Sequence, residues 1–148
     1  MKYLISLLLV LLPVGSTVLA QDATARPEKA RFLLHVTNGP DDPTKAALAF
    51  LVARTALEEG HPVDVYLAGD AVSLLKDEVL ASVTGLGTGK LADHYKVIVD
   101  KGGRFHLANN SSKARGLTEA DLQGKPAAFA NATGFVRLAS QADKVLVY

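Results

Sequence analysis

No cysteine occurs in the 148 residues. That absence excludes disulfides, thiol nucleophiles, persulfide carriers, iron–sulfur clusters and cysteine-based zinc sites. Tryptophan is also missing, and aromatic residues make up only 6% of the chain. Stacking platforms for single-stranded nucleic acid are therefore not expected. Neither sign of charge dominates, because the formal net charge is +1 and no basic run occurs. Nucleic-acid binding thus lacks its usual electrostatic support. What is present is a globular composition, with 49% hydrophobic and 21% charged residues, in a length that fits one domain.

The first segment reads as an address. Lys2 is followed by a nearly unbroken apolar run from Leu4 to Leu12, then by Pro13, Gly15 and Ser16. Val18-Leu19-Ala20 precedes Gln21. This is the three-part layout of a secretory signal peptide over residues 1–20, with cleavage after Ala20. The alternative is a membrane anchor, but a spanning helix needs about 20 consecutive apolar residues, and Pro13 to Thr17 interrupts this one. A lipid anchor at the cut site would need a cysteine. Loss of Lys2 takes the formal charge to zero. The expected location is periplasmic, after secretion across the inner membrane, with no membrane association once the leader is gone.

Residues 21–30 are polar, contain Pro27, and read as a flexible lead-in. From 31 to 148 the pattern alternates between strands and helices. Phe32 to Val36 is a short apolar run fit for a strand covered on both faces. Asp42 and Pro43 open a helix that runs to Glu59 and closes at Gly60. Val63 to Leu67 alternates as a second strand, Ala71 to Lys76 and Asp77 to Val83 read as helical, and Thr84 to Gly89 as a glycine-rich flexible connection. A helix over Leu91 to Lys101 leads to a third strand, Arg104 to Ala108. A polar turn, Asn109 to Ser112, then precedes a short helix at Lys113 to Arg115. A capped turn at Thr118 to Leu122, a strand at Ala127 to Ala130, a helix at Thr133 to Ala142 and a strand at Lys144 to Tyr148 complete the chain. The fold class is α/β with a mainly parallel sheet of about five strands.

The helix from Pro43 is apolar on more than one side, around Phe50, Leu51 and Val52. Two buried faces are implied, one on the sheet and the other on a second subunit. The alternative is an alanine-rich exposed face.

Several motifs fail on inspection. Gly85-Leu86-Gly87-Thr88-Gly89-Lys90 lacks the first glycine and the final hydroxyl residue of a P-loop, and it follows a helix rather than a strand. His35, His61, His94 and His106 show no metal-ligand spacing, so no metal site and no cofactor are expected. No Gly-x-Ser-x-Gly elbow exists, although a Ser111–His106 pair remains conceivable. In open parallel sheets ligands bind beyond the carboxyl ends of the strands. The loops there supply Asn38, Asn109, Ser111, Ser112 and Arg115, a candidate set for a small anion. The competing reading is that these groups only cap the local helix.

Val36-Thr37-Asn38-Gly39-Pro40-Asp41-Asp42-Pro43 and Gly60-His61-Pro62-Val63 resemble the opening of the DsrE/DsrF-like family. So do Val65 to Val72, Lys101-Gly102-Gly103, Lys113 to Leu122, and Ala142 to Tyr148. The resemblance implies a three-layer α/β/α sandwich, often assembled as trimers or hexamers. Several members of that family are sulfur carriers with a reactive cysteine after the third strand. Counting back from Lys113 and Gly116, those positions fall on Ala108 and Ser111 here. An alanine has no nucleophile, and a serine oxygen cannot store sulfane sulfur. The expectation is therefore an exported, homo-oligomeric binding or assembly module without thiol chemistry. The alternatives are an accessory subunit partnering a sulfur-pathway protein, or a small hydrolase using Ser111.

Overall fold

A computed structural model describes residues 28–148. The expected signal peptide and most of the expected lead-in lie outside the described residues. Among these, no helix is long and apolar enough to cross a membrane.

The strands are β1 (Phe32–Val36), β2 (Val63–Leu67), a two-residue hairpin of β3 (Thr84–Gly85) and β4 (Gly89–Lys90), β5 (Arg104–Ala108), β6 (Ala127–Ala130) and β7 (Lys144–Val147). The helices are α1 (Pro43–Glu58), α2 (Asp77–Ser82), α3 (Leu91–Asp100), α4 (Asn109–Ala114) and α5 (Ala132–Gln141). The main sheet has the order β6-β5-β2-β1-β7, and every pair in it is parallel.

Connection handedness fixes the layers. The steps β1 to β2, β2 to β5 and β5 to β6 all move in one direction across the sheet. Right-handed crossovers therefore put their helices on one face. The step from β6 to β7 runs back across the whole sheet, so its helix α5 takes the opposite face. Among the described residues the third layer of the sandwich is thus a single helix.

The core lies on the α1/α3 side. Leu34, Val36, Val63, Val65, Leu67, Phe105 and Leu107 point there and are buried. Phe105 is held between Phe50 of α1 and Tyr95 of α3, with ring centroids 5.5 and 5.3 Å away. Burial of side chains of this size stabilises by about 1.5–3 kcal/mol each, which accounts for a thiol-free chain holding by packing.

Local chemistry sets the helix ends. The Asp42 carboxylate accepts the amide hydrogen of Lys45 at 3.1 Å, and Pro43 occupies the first turn. At the other end Gly60 adopts φ +89°. Its amide donates to Leu57 while the amide of His61 donates to Ala56, so the last carbonyls of α1 are satisfied by a left-handed glycine cap.

Three sequence expectations change. The second buried side of α1 meets α3 and the β3–β4 hairpin of the same chain, so its apolar girth is accounted for without a second subunit. The segment Thr84 to Gly89 is pinned rather than flexible. Gly85 is buried against Ala47, the Leu86 amide donates to Thr44 Oγ1, and His94 Nε2 donates to the Thr88 carbonyl. Lastly, no polar turn separates β5 from its helix, because α4 starts at Asn109 directly after the strand.

Candidate functional site

The carboxyl ends of β1 and β5 carry the loops expected to hold a ligand. Asn109 begins α4 and lines two adjoining cavities. One, of about 200 Å3, is walled by Tyr66, Ala108, Asn110 and Asn131. The other, of about 290 Å3, includes Ser112, Lys113, Glu119 and Phe129. Asn38 lines neither. It is half-buried in the loop after β1, beside Gly39, which packs directly on Asp70.

Ser111 and Arg115 are already engaged. The Ser111 hydroxyl accepts the amide hydrogen of Gly69 at 3.0 Å. Arg115 donates through Nε and Nη2 to one carboxylate oxygen of Asp70, at 2.9 and 2.6 Å, and through Nη1 to the Ser111 carbonyl. These contacts brace α4 against the 3-10 turn Gly69–Leu75. Ser112 is the exception: its hydroxyl is buried and finds no partner among the described residues. The conceivable Ser111–His106 pair does not form. His106 lies at the middle of β5 and bonds to Asp64, whereas Ser111 lies in α4 and bonds to Gly69.

His106 instead belongs to a cluster on the α5 side of the sheet. Asp64 of β2 is only 3% exposed. Its Oδ1 accepts from His106 Nε2 at 2.9 Å and lies 3.3 Å from Arg104 Nε. Its Oδ2 accepts from Arg31 Nη2 at 2.8 Å and Nε at 3.2 Å. Burial pushes the carboxyl upward, but the hydrogen bonds of His106 and Arg31 and the charge of Arg104 outweigh it and hold it at about 2. Register makes the cluster, since Asp64 pairs with Arg104 and Tyr66 with His106, so all four share one face. Farther along that face His35 packs against Tyr66 and Phe135 of α5, with ring centroids 5.7 and 4.8 Å away, while those two rings meet each other at 4.6 Å. Burial lowers the His35 pKa, which keeps its imidazole neutral at pH 7.

Sequence reading did not single out Asp64. The available signal was a lone carboxylate inside an otherwise apolar strand, which demands a cationic neighbour, together with Arg104 and His106 at alternate positions of another strand.

The family model for the DsrE/DsrF-like family matches residues 30–148. This chain belongs to the DsrE/DsrF-like family. No curated protein sequence matches it. Solved structures with a similar fold include the YchN protein of E. coli, at 13% identity and a TM-score of 0.64, covering 80% of this chain and 99% of that one. MTH1491 of Methanobacterium thermoautotrophicum, described as a protein of unknown function, is 18% identical with a TM-score of 0.61, covering 81% and 100%. BT1422 of Bacteroides thetaiotaomicron, also described as of unknown function, is 11% identical with a TM-score of 0.57, covering 79% and 94%. At these identities the likeness concerns the fold alone. Within this DsrE-like fold, Ala108 lies at the end of β5 and contributes a methyl group, not a sulfur, to the 200 Å3 cavity.

Proposed function

We propose that this DsrE-like chain is a binding and assembly module that works after export to the periplasm and carries out no thiol-based sulfur transfer. The observation that carries the reading is the chemistry at the end of β5. The family resemblance implies that Ala108 and Ser111 take the positions of the sulfur carriers' cysteines, and the Ser111 hydroxyl is occupied as acceptor of the Gly69 amide. The adjoining cavity offers neutral hydrogen-bonding groups from Asn109, Asn110, Asn131 and Tyr66. Such a lining suits holding a small polar molecule more than attacking one.

Self-association is the form of assembly the reading favours. The α5 side of the sheet is covered by one helix, and Val136, Val145 and Val147 remain 64%, 45% and 68% exposed on that side. Both outer strands, β6 and β7, leave one edge unpaired among the described residues. Family resemblance adds trimers and hexamers as the expected states. The same apolar side would serve an accessory subunit that docks on a sulfur-handling protein, and capture of such a protein in place of self-association would favour that second reading.

The hydrolase alternative separates cleanly. Mature protein and its Ser111→Ala variant are assayed on generic carboxyl esters. The reading expects no turnover by either. Turnover by the parent that disappears in the variant would overturn it.

A further inference from the structure

At the amino ends of the strands, away from the loops discussed above, a groove of about 450 Å3 opens beside Asp64. Its lining carries Lys29, Arg31, Lys101 and Arg104, together with His61 and the single carboxylate Asp64. Neutralising one buried carboxylate needs one guanidinium. Here two converge on it, His106 adds a third hydrogen bond, and two ammonium groups stand around the same opening.

The donors left over are specific. Arg31 uses Nε and Nη2 on Asp64, and its Nη1 has no hydrogen-bond partner among the described residues. Arg104 approaches Asp64 through Nε alone, with its side chain 60% exposed. The His61 Nδ1 accepts the amide hydrogen of Ala30 at 3.2 Å, which leaves Nε2 as the ring's donor. Three neighbouring acids are committed elsewhere: Asp143 accepts the Arg31 amide, Asp100 pairs with Lys96, and Glu58 pairs with Arg54; Glu59, next to the groove residue Gly60, is exposed and has no side-chain partner among the described residues. Glu28 and Asp143 line a separate, adjoining cavity on the far side of Lys29.

We propose that this groove is a binding site for a dianionic oxyanion of the phosphate or sulfate type, free or as a monoester. Guanidinium pairs recognise planar and tetrahedral oxyanions through parallel N–H donors. Asp64 is the built-in half of the arrangement: it is itself an oxyanion and holds both guanidiniums in place by their inner nitrogens. Lys29 and Lys101 supply mobile charge, and His61 supplies a donor through Nε2. The groove is far larger than the anion alone, which leaves room for the organic part of an ester. The site is independent of the reading in the previous subsection, and either can fail without the other.

The test is an amide-resolved NMR titration of the mature chain with sodium phosphate, sodium sulfate and glycerol 3-phosphate, each against sodium chloride at matched ionic strength. Saturable shifts are expected at Ala30, His61 and Lys101 to Gly103, beyond those caused by chloride. Tighter binding of glycerol 3-phosphate would assign a phosphomonoester, and tighter binding of an inorganic ion would assign the free oxyanion. In the variant Lys101→Gln/Arg104→Gln the affinity is expected to fall at least tenfold. Arg31 and His106 still hold Asp64 in that variant, and the single Lys101→Gln change, at an exposed side chain, serves as a second probe with a smaller loss. The proposal is overturned by shifts equal to those with chloride, by shifts confined to Asn109 to Arg115, or by affinity that both variants leave unchanged.

Discussion

The hydroxyl of Ser111 accepts the amide hydrogen of Gly69 across 3.0 Å, tying α4 to the turn that follows β2. Removing the acceptor leaves a part-buried amide without a partner. Ser111→Ala is therefore expected to cost about 1–2 kcal/mol of stability, measured by urea denaturation. The expected outcome is a structural loss with no change in any ligand-independent activity. A variant as stable as the parent would show that the bond is dispensable and the hydroxyl free for another task.

Arg115 and Asp70 behave differently. Their side chains are 34% and 62% exposed, so solvent screens the pair. Arg115→Ala is expected to lower stability by less than about 1 kcal/mol. A larger loss would mean that the contact of Arg115 with the Ser111 carbonyl, rather than the ion pair, organises the loop.

Gly39 tests the same end of the sheet from the other side. A Cβ there would lie 2.6 Å from the Asp70 Cβ and 2.8 Å from its carbonyl oxygen. Backbone atoms cannot swing away as a side-chain tip can. Gly39→Ala is expected to destabilise by about 1–3 kcal/mol, read as a lower denaturation midpoint with an unchanged slope.

Acid reveals the Asp64 cluster. Because the folded pKa is depressed to about 2 from 3.8, the unfolded chain binds the proton more readily. The stabilisation is therefore fully present above pH 3.8 and is lost as pH falls through about 2. Screening at the exposed Arg104 keeps it at about 1–2 kcal/mol. Asp64→Asn is expected to be less stable at pH 7 by a similar amount and to lose this acid dependence, followed by circular dichroism between pH 5 and 2.

His35 supplies a milder pH effect. Burial beside Tyr66 and Phe135 lowers its pKa below 6.5, so charging it opposes the packing of α5. Stability is present above pH 6.5 and declines as pH drops below that value toward the folded pKa. His35→Phe keeps a ring against Phe135 and removes the titration. The difference in stability between parent and variant is expected to widen from pH 7 to pH 5, as measured by urea denaturation at each pH.

These cases show what a sequence of this kind discloses. The elements around Phe50, Val63 to Leu67 and Arg104 to Ala108 were legible because periodicity and capping residues are local signals. Strand order and register are not local. The meeting of Asp64 with Arg31, Arg104 and His106 depends on β2 lying between β1 and β5 in one register, which no spacing along the chain encodes. The engagement of Arg115 was not legible for a related reason: its partner Asp70 is 45 residues away in sequence. The hairpin at Gly85 was hidden because its anchor, Thr44, sits in another element.

Native mass spectrometry of the protein purified from its native cells tests the central claim most directly. The expected spectrum is a homo-oligomer, trimeric or hexameric, carrying a defined small-molecule adduct or none. A bare monomer across the micromolar range would contradict the assignment as an assembly module.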